Sequence, residues 1–85
     1  MEEKRLAYSA HASDAIGERE LAFTWIVRTI HKPEWILPDP RRPGVERRYR
    51  AIPEHGNRIL RVVVMEKSDE IRIITAFFDR RARRP

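Results

Sequence analysis

Histidine and arginine carry the usable chemistry of this chain, which has no cysteine and only three glycines. Without cysteine there is no thiolate nucleophile, no disulfide framework and no thiolate metal site. No glycine-rich phosphate loop, nucleophile elbow or HExxH pair occurs either, so no cofactor and no nucleotide-dependent chemistry is expected. His11 is the candidate for proton transfer. An imidazole exchanges protons near neutral pH, which suits cleavage of RNA by its own 2′-hydroxyl. The structural alternative is a histidine that bonds a backbone carbonyl at a helix start. His31 and His55 fall in a helix end and a turn, and three histidines scattered in this way make no metal site.

The arginines are grouped. Arg80 and Arg81 follow Asp79 directly at the end of an apolar run, and a planar guanidinium fork matches phosphate bidentately. Arg61 and Arg72 would extend this group if strand register places them together. Arg47, Arg48 and Arg50 surround Tyr49, a mixture in which an aromatic ring stacks on an unpaired base while cations hold phosphates. If the protein cleaves RNA, His11 acts as acid or base and Arg61, Arg80 and Arg81 hold the phosphate, with Tyr49 orienting a base. Arg48, Arg50 and Arg72 line the same substrate path. The structural alternatives are a solvated run of charge at residues 47–50 and an Asp79–arginine pair that ties the strand end to a helix.

The elements that must position these residues are led by Ile71-Arg72-Ile73-Ile74-Thr75-Ala76-Phe77-Phe78, a strand by composition with no Gly or Pro to interrupt it. Alternation would put Ile71, Ile73, Thr75, Phe77 and Asp79 on one face, with Arg72, Ile74, Ala76, Phe78 and Arg80 on the other. Residues 58–65 read as a second strand joined to it by a polar hairpin loop over 66–70. Residues 45–52 read as a third, with Arg48, Arg50 and Ile52 opposite Val45, Arg47, Tyr49 and Ala51; residues 4–8 read as a short first strand. Ser9 is the N-cap of a helix over 10–16 that Gly17 stops. A second helix runs from about Glu20 to Lys32, ended by Pro33. Prolines at 33, 38, 40 and 43 argue for irregular structure in 33–43, pinned by Trp35-Ile36-Leu37. The order predicts one α+β domain: two N-terminal helices packed on one face of a small antiparallel three- to four-stranded sheet. The other sheet face stays open or is kept for a partner.

Eighty-five residues hold one domain with a modest core. The second helix is apolar over most of its circumference, with Leu21, Ala22, Trp25, Ile26 and Thr29 on one stripe and Phe23, Val27 and Ile30 beside it. Such a helix needs cover on more than one side, from the sheet, the first helix or a second chain. A net charge of +5 favours nucleic acid or an acidic protein as partner. No signal peptide or membrane span is read, because charged Glu2-Glu3-Lys4-Arg5 precedes a short polar-interrupted stretch. A cytoplasmic protein is expected.

The chain resembles a bacterial domain family catalogued as of unknown function and placed near the RelE/ParE and BrnT toxins. The resemblance rests on Tyr8-Ser9-x-His11-Ala12, Glu18-Arg19, Pro33-Glu34-Trp35 and Pro38-Asp39-Pro40, then Arg50-Ala51-Ile52-Pro53 and Arg58-Ile59-Leu60-Arg61-Val62-Val63. It closes on Thr75-Ala76-Phe77-Phe78-Asp79-Arg80-Arg81. At Ser13-Asp14-Ala15-Ile16 the chain departs from the family's usual basic residue and Arg-Met-like pair. The resemblance implies a RelE/BrnT-like fold and a toxin of a toxin–antitoxin module, as an RNA-binding domain or a metal-independent endoribonuclease. It implies a cognate acidic antitoxin, or a homodimer, at the second helix. The alternative is a non-enzymatic protein-interaction module, or a toxin that has kept its fold and lost its activity.

Overall fold

The computed structural model describes residues 4–85; Glu2 and Glu3 of the charged N-terminal cluster lie outside them. The chain order is β1 (Arg5–Tyr8), α1 (Ala10–Glu18), α2 (Phe23–His31), β2 (Trp35–Pro38), β3 (Val45–Ile52), β4 (Arg58–Glu66) and β5 (Glu70–Phe78), with a 3-10 turn at Pro53–His55. The sheet order is β1-β5-β4-β3-β2, with β1 parallel to β5 and the other pairs antiparallel. The α+β class stands. The antiparallel three- to four-stranded sheet is corrected to a five-stranded mixed one.

The first strand is where residues 4–8 predict it, and only β2 and the parallel pairing of β1 were not foreseen. β1 has only four residues and pairs with the last strand of the chain, a partner that no short-range pattern reveals. β2 lies between prolines, yet Pro38 sits at its very end, where an edge strand tolerates a missing N–H. The link from β2 to β3 is tied by Asp39, whose Oδ1 accepts from the N–H groups of Arg41 (3.0 Å) and Arg42 (3.2 Å). Gly44, at φ +80°, takes a left-handed conformation that closes the turn.

The two helices cover one face of the sheet. Ala12, Ile16, Leu21, Ile26 and Ile30 pack on Ile52, Leu60, Val62, Val64, Ile71, Ile73 and Ala76. Ser9 caps α1 by accepting from the Ala12 N–H (3.0 Å), as its position predicts. Gly17 does not stop α1. The left-handed residue is Glu20 (φ 54°), and the Leu21 N–H reaches the Ile16 carbonyl (3.0 Å) while the Glu20 N–H reaches that of Gly17 (3.2 Å). These are the two bonds of a Schellman motif, with Ile16 and Leu21 supplying its apolar contact in the core. Glu20 is therefore spent ending α1, so α2 begins at Phe23 rather than Glu20.

A one-residue bulge reorders the faces of β5. Thr75 pairs with Val63 but Ile73 pairs with Val64, leaving Ile74 as the extra residue. Ser9 anchors this point, its N–H bonding the Ile73 carbonyl (3.2 Å) and its hydroxyl the Ile74 carbonyl (3.3 Å). Strict alternation is thereby corrected: Ile71 and Ile73 share the helix side with Ala76 and Phe78, while Arg72, Thr75 and Phe77 turn to the other face. Without the bulge, Ala76 and Phe78 would leave the core.

Candidate functional site

The helix-free face carries a cross-strand ladder of aromatic rings and arginines. Register places Trp35 opposite Tyr49, Tyr49 opposite Arg61 and Arg61 opposite Phe77. The Trp35 and Tyr49 rings stack at 4.8 Å with 9° between their planes. The Arg61 guanidinium lies 5.9 Å from the Tyr49 ring and 4.4 Å from that of Phe77, and it pairs with Asp79 at 3.1 Å. Cations over aromatic faces gain from the ring quadrupole, and a half-buried one gains more than an exposed one.

Asp79 organises the end of β5. Its N–H bonds the Ile59 carbonyl (2.9 Å), its Oδ1 accepts from the Arg81 N–H (2.9 Å) and its carbonyl accepts from the Ala82 N–H (3.3 Å). An aspartate at the first position of a turn is favoured for this reason. The turn puts Arg80 and Arg81 on a ridge with a hollow on either side. Asp79 thus ties the strand end to β4 rather than to a helix.

Beyond the turn, the tail runs back over the helix-free face. Arg84 lies 5.4 Å over the Trp35 ring and pairs with Glu34 at 3.1 Å. Between tail and sheet is a depression of about 320 Å³ lined by Trp35, Arg47, Tyr49, Arg61, Arg81 and Arg83, among others. Trp35 Nε1 and Arg61 Nε are buried there without a hydrogen-bond partner.

The proposed catalytic trio is not assembled. His11 is exposed in the first turn of α1, on the helix side, and Arg61 lies across the sheet from it. Arg80 faces the hollow away from the depression, beside Arg58 and Phe78, while Arg81 faces the depression. Tyr49 is only 3% exposed and is stacked on Trp35, so its ring faces are not free to receive a base. Trp35 is the outer ring of the ladder, with Arg84 lying over it.

Three arginines of the predicted substrate path are structural. Arg48 is 7% exposed on the helix side, donating to the Ile30 carbonyl (2.9 Å) and pairing with Glu46 (2.9 Å) and Glu66 (2.6 Å). Glu66, held also by Lys4, has its carboxyl pulled below the usual range, first by Lys4 and then by Arg48. Arg50 donates to the Lys32 carbonyl at 2.7 Å, which secures the end of α2. Arg72 sits opposite Met65, four residues along β4 from Arg61 and so about 13 Å away at the rise of a strand. It pairs with Glu70 at 3.2 Å. The residues that the sequence reading passed over are Trp35, Arg58 and Arg83. The first was visible only as packing, and the other two acquire meaning only when the strand end and the tail meet.

His55 belongs to an aromatic cluster, stacked on Phe78 at 4.5 Å and beside Trp25 at 5.5 Å. Among the described residues no group of His, Asp or Glu could hold a metal ion, and no helix is long and apolar enough to cross a membrane.

Fold and site together define an α+β domain that packs its helices on one face of a mixed sheet and arrays arginines over aromatic rings on the other. The chain belongs to the family described as a domain of unknown function, DUF4258, whose model matches residues 8–78. No curated protein and no solved structure matches it.

Proposed function

We propose that this domain binds single-stranded RNA across its helix-free face, as a toxin-like partner of an acidic antitoxin in the manner of RelE and BrnT relatives. One observation carries the reading: Arg81 and Arg83 share a depression on the helix-free face with the Trp35 ring. Neither of those two arginines has a carboxylate partner among the described residues. Phosphate oxygens supply counter-charge to these arginines, and a base stacks on the ring. A base reaches Trp35 by displacing Arg84. The exchange gives up an exposed ion pair of up to about 1 kcal/mol and a cation–ring contact of about 0.5–1 kcal/mol, against about 1–3 kcal/mol for a base stacked on an aromatic ring. The reading is one of binding, because His11, Arg61 and Arg80 do not converge on one phosphodiester.

The antitoxin face is α2. Phe23 is 60% exposed, and with Val27 it forms an apolar strip. A depression of about 500 Å³ lies along the strip, lined also by Lys32 and by Arg28, which is paired with Glu54 (2.7 Å). Tyr8 meets Phe23 edge-on at 5.6 Å and covers only one side of it. An apolar strip with basic borders suits an acidic amphipathic helix. Phe23→Glu should abolish binding of such a peptide, and unchanged binding would move the partner elsewhere.

The RNA reading is tested by fluorescence anisotropy of a labelled single-stranded RNA over a range of salt. Affinity should fall steeply with salt, and Arg81→Gln should lower the log–log slope by about 0.7, the value of one phosphate contact on a single strand. Expression of the chain alone should arrest bacterial growth, with relief by the same substitution. No RNA binding at low salt, or a slope untouched by Arg81→Gln, would overturn the reading of this face; unimpeded growth would overturn its toxin part.

A further inference from the structure

The second hollow, on the other side of the Asp79–Ala82 turn, has a separate character. It encloses about 290 Å³ and is lined by Asn57, Arg58, Phe78, Arg80 and Arg83, with Ile59 and Ala82 completing the wall. Most arginines of this chain are committed to carboxylates; Arg28, Arg42, Arg47, Arg61 and Arg72 each have one within 3.3 Å. Arg58, Arg80 and Arg83 have none among the described residues. Arg58 meets only the His55 ring (3.3 Å to Nε2) and lies 5.4 Å over Phe78. Arg83 donates to the carbonyls of Arg80 (3.3 Å) and Ala82 (3.0 Å).

Asp79 also lines the hollow, and its single charge does not balance three cations. Both of its carboxylate oxygens are taken, one by the Arg81 N–H and the other by Arg61 on the helix-free face. Three arginines thus line one small space, and an anion from outside would ease the repulsion between their charges. The backbone fixes this geometry. Arg58 starts β4 directly after Gly56 and Asn57, both left-handed (φ 64° and 58°), and the Asn57 N–H is tied to the Ile52 carbonyl (2.9 Å). Arg80 and Arg83 are placed by the Asp79 turn.

We propose that this hollow is a phosphate monoester site, distinct from the helix-free face. A doubly charged group with three terminal oxygens matches three arginines lining one hollow better than a carboxylate does. The volume is at the small end of ligand sites and accepts the phosphate with little more than its ester group. Phe78 and Ile59 offer an apolar wall to the ester carbon. The phosphate belongs either to the 5′ end of a nucleic-acid strand or to a free nucleotide. Arg83 also borders the helix-free depression, so the site is tested through Arg58 and Arg80, which line this hollow and not the other.

The test is an amide-resolved NMR titration of the full chain with inorganic phosphate, against sodium chloride at matched ionic strength. Saturable shifts at Asn57, Arg58, Arg80 and Ala82 that chloride does not reproduce are expected. Arg58→Gln and Arg80→Gln, both exposed and free of carboxylate contacts, should each weaken the phosphate response roughly tenfold, the loss of one charge-assisted pair. Two further arms identify the source. A short RNA with a 5′-phosphate that moves these amides, where its 5′-hydroxyl counterpart does not, assigns a strand end. Adenosine monophosphate that moves them, with both RNAs inert there, assigns a free nucleotide. Absent shifts, or shifts equal to those from chloride, would overturn the proposal and leave the RNA reading of the helix-free face untouched.

Discussion

Asp79→Ala probes the residue on which both hollows depend. The Arg61 and Asp79 side chains are 16% and 14% exposed, so their pair lies between two limits. An exposed ion pair contributes about 0–1 kcal/mol, whereas removing one partner of a fully buried pair costs about 3–5 kcal/mol. With about one-seventh of each side chain in water, leaving Arg61 unpaired should cost about 2 kcal/mol. The lost bond to the Arg81 N–H adds about 0.5 kcal/mol, since that group is at the surface. A total near 2.5 kcal/mol lowers the Tm of a domain this size by roughly 10–20 °C. Arg61→Ala removes the same pair along with the cation over Phe77, itself worth about 0.5–2 kcal/mol. Urea unfolding of wild type, both single variants and the double variant closes a double-mutant cycle. The double variant should be more stable than the sum of the singles predicts by at least about 1 kcal/mol. Additivity within about 0.5 kcal/mol would refute the claim that Asp79 holds Arg61 over the rings.

Arg48→Met keeps the side-chain stem and removes the guanidinium that serves the Ile30 carbonyl and Glu66. It should cost about 1.5–3 kcal/mol in urea unfolding while leaving RNA affinity of the folded protein unchanged; the reverse pattern would make Arg48 a ligand contact. The carboxyl of Asp39 is pulled down to about 2, first by the Arg41 N–H and further by the guanidinium groups of Arg42 and Arg47. Its folded pKa is below its unfolded one, so its contribution is full above about pH 4 and is lost as pH falls toward 2. Asp39→Asn should therefore be less stable at neutral pH, with the gap to wild type closing in that window. A gap independent of pH would refute the assignment.

The outcome of the sequence reading differs from one residue to another for reasons of range. β3, β4 and their hairpin to β5 were legible because β-branched runs and polar turns act over a few residues. The Ser9 cap was legible because its partner is three residues away. The end of α1 was not, because Gly17 is an ordinary helical residue here and the left-handed position fell to Glu20. The faces of β5 were misassigned because a bulge leaves no mark in composition. Ile74 is extra only because Val63 and Val64 pair with Thr75 and Ile73.

The same division applies to the site. By itself the sequence determined that this is a small basic α+β domain without thiol chemistry, whose arginines cluster after β5 and around Tyr49. Residue types and local spacing settle those properties. Only the tertiary structure decided which arginines are committed to carboxylates and which have no carboxylate partner among the described residues. Arg48 and Arg50 were drawn to the end of α2, Arg61 was set between Tyr49 and Phe77, and His11 was placed across the sheet from Arg61. Trp35 became the outer ring of the ladder, and Arg58 and Arg83 joined Arg80 around one hollow. Each of these follows from strand register and from which face a side chain takes, and register depends on partners tens of residues away in the chain.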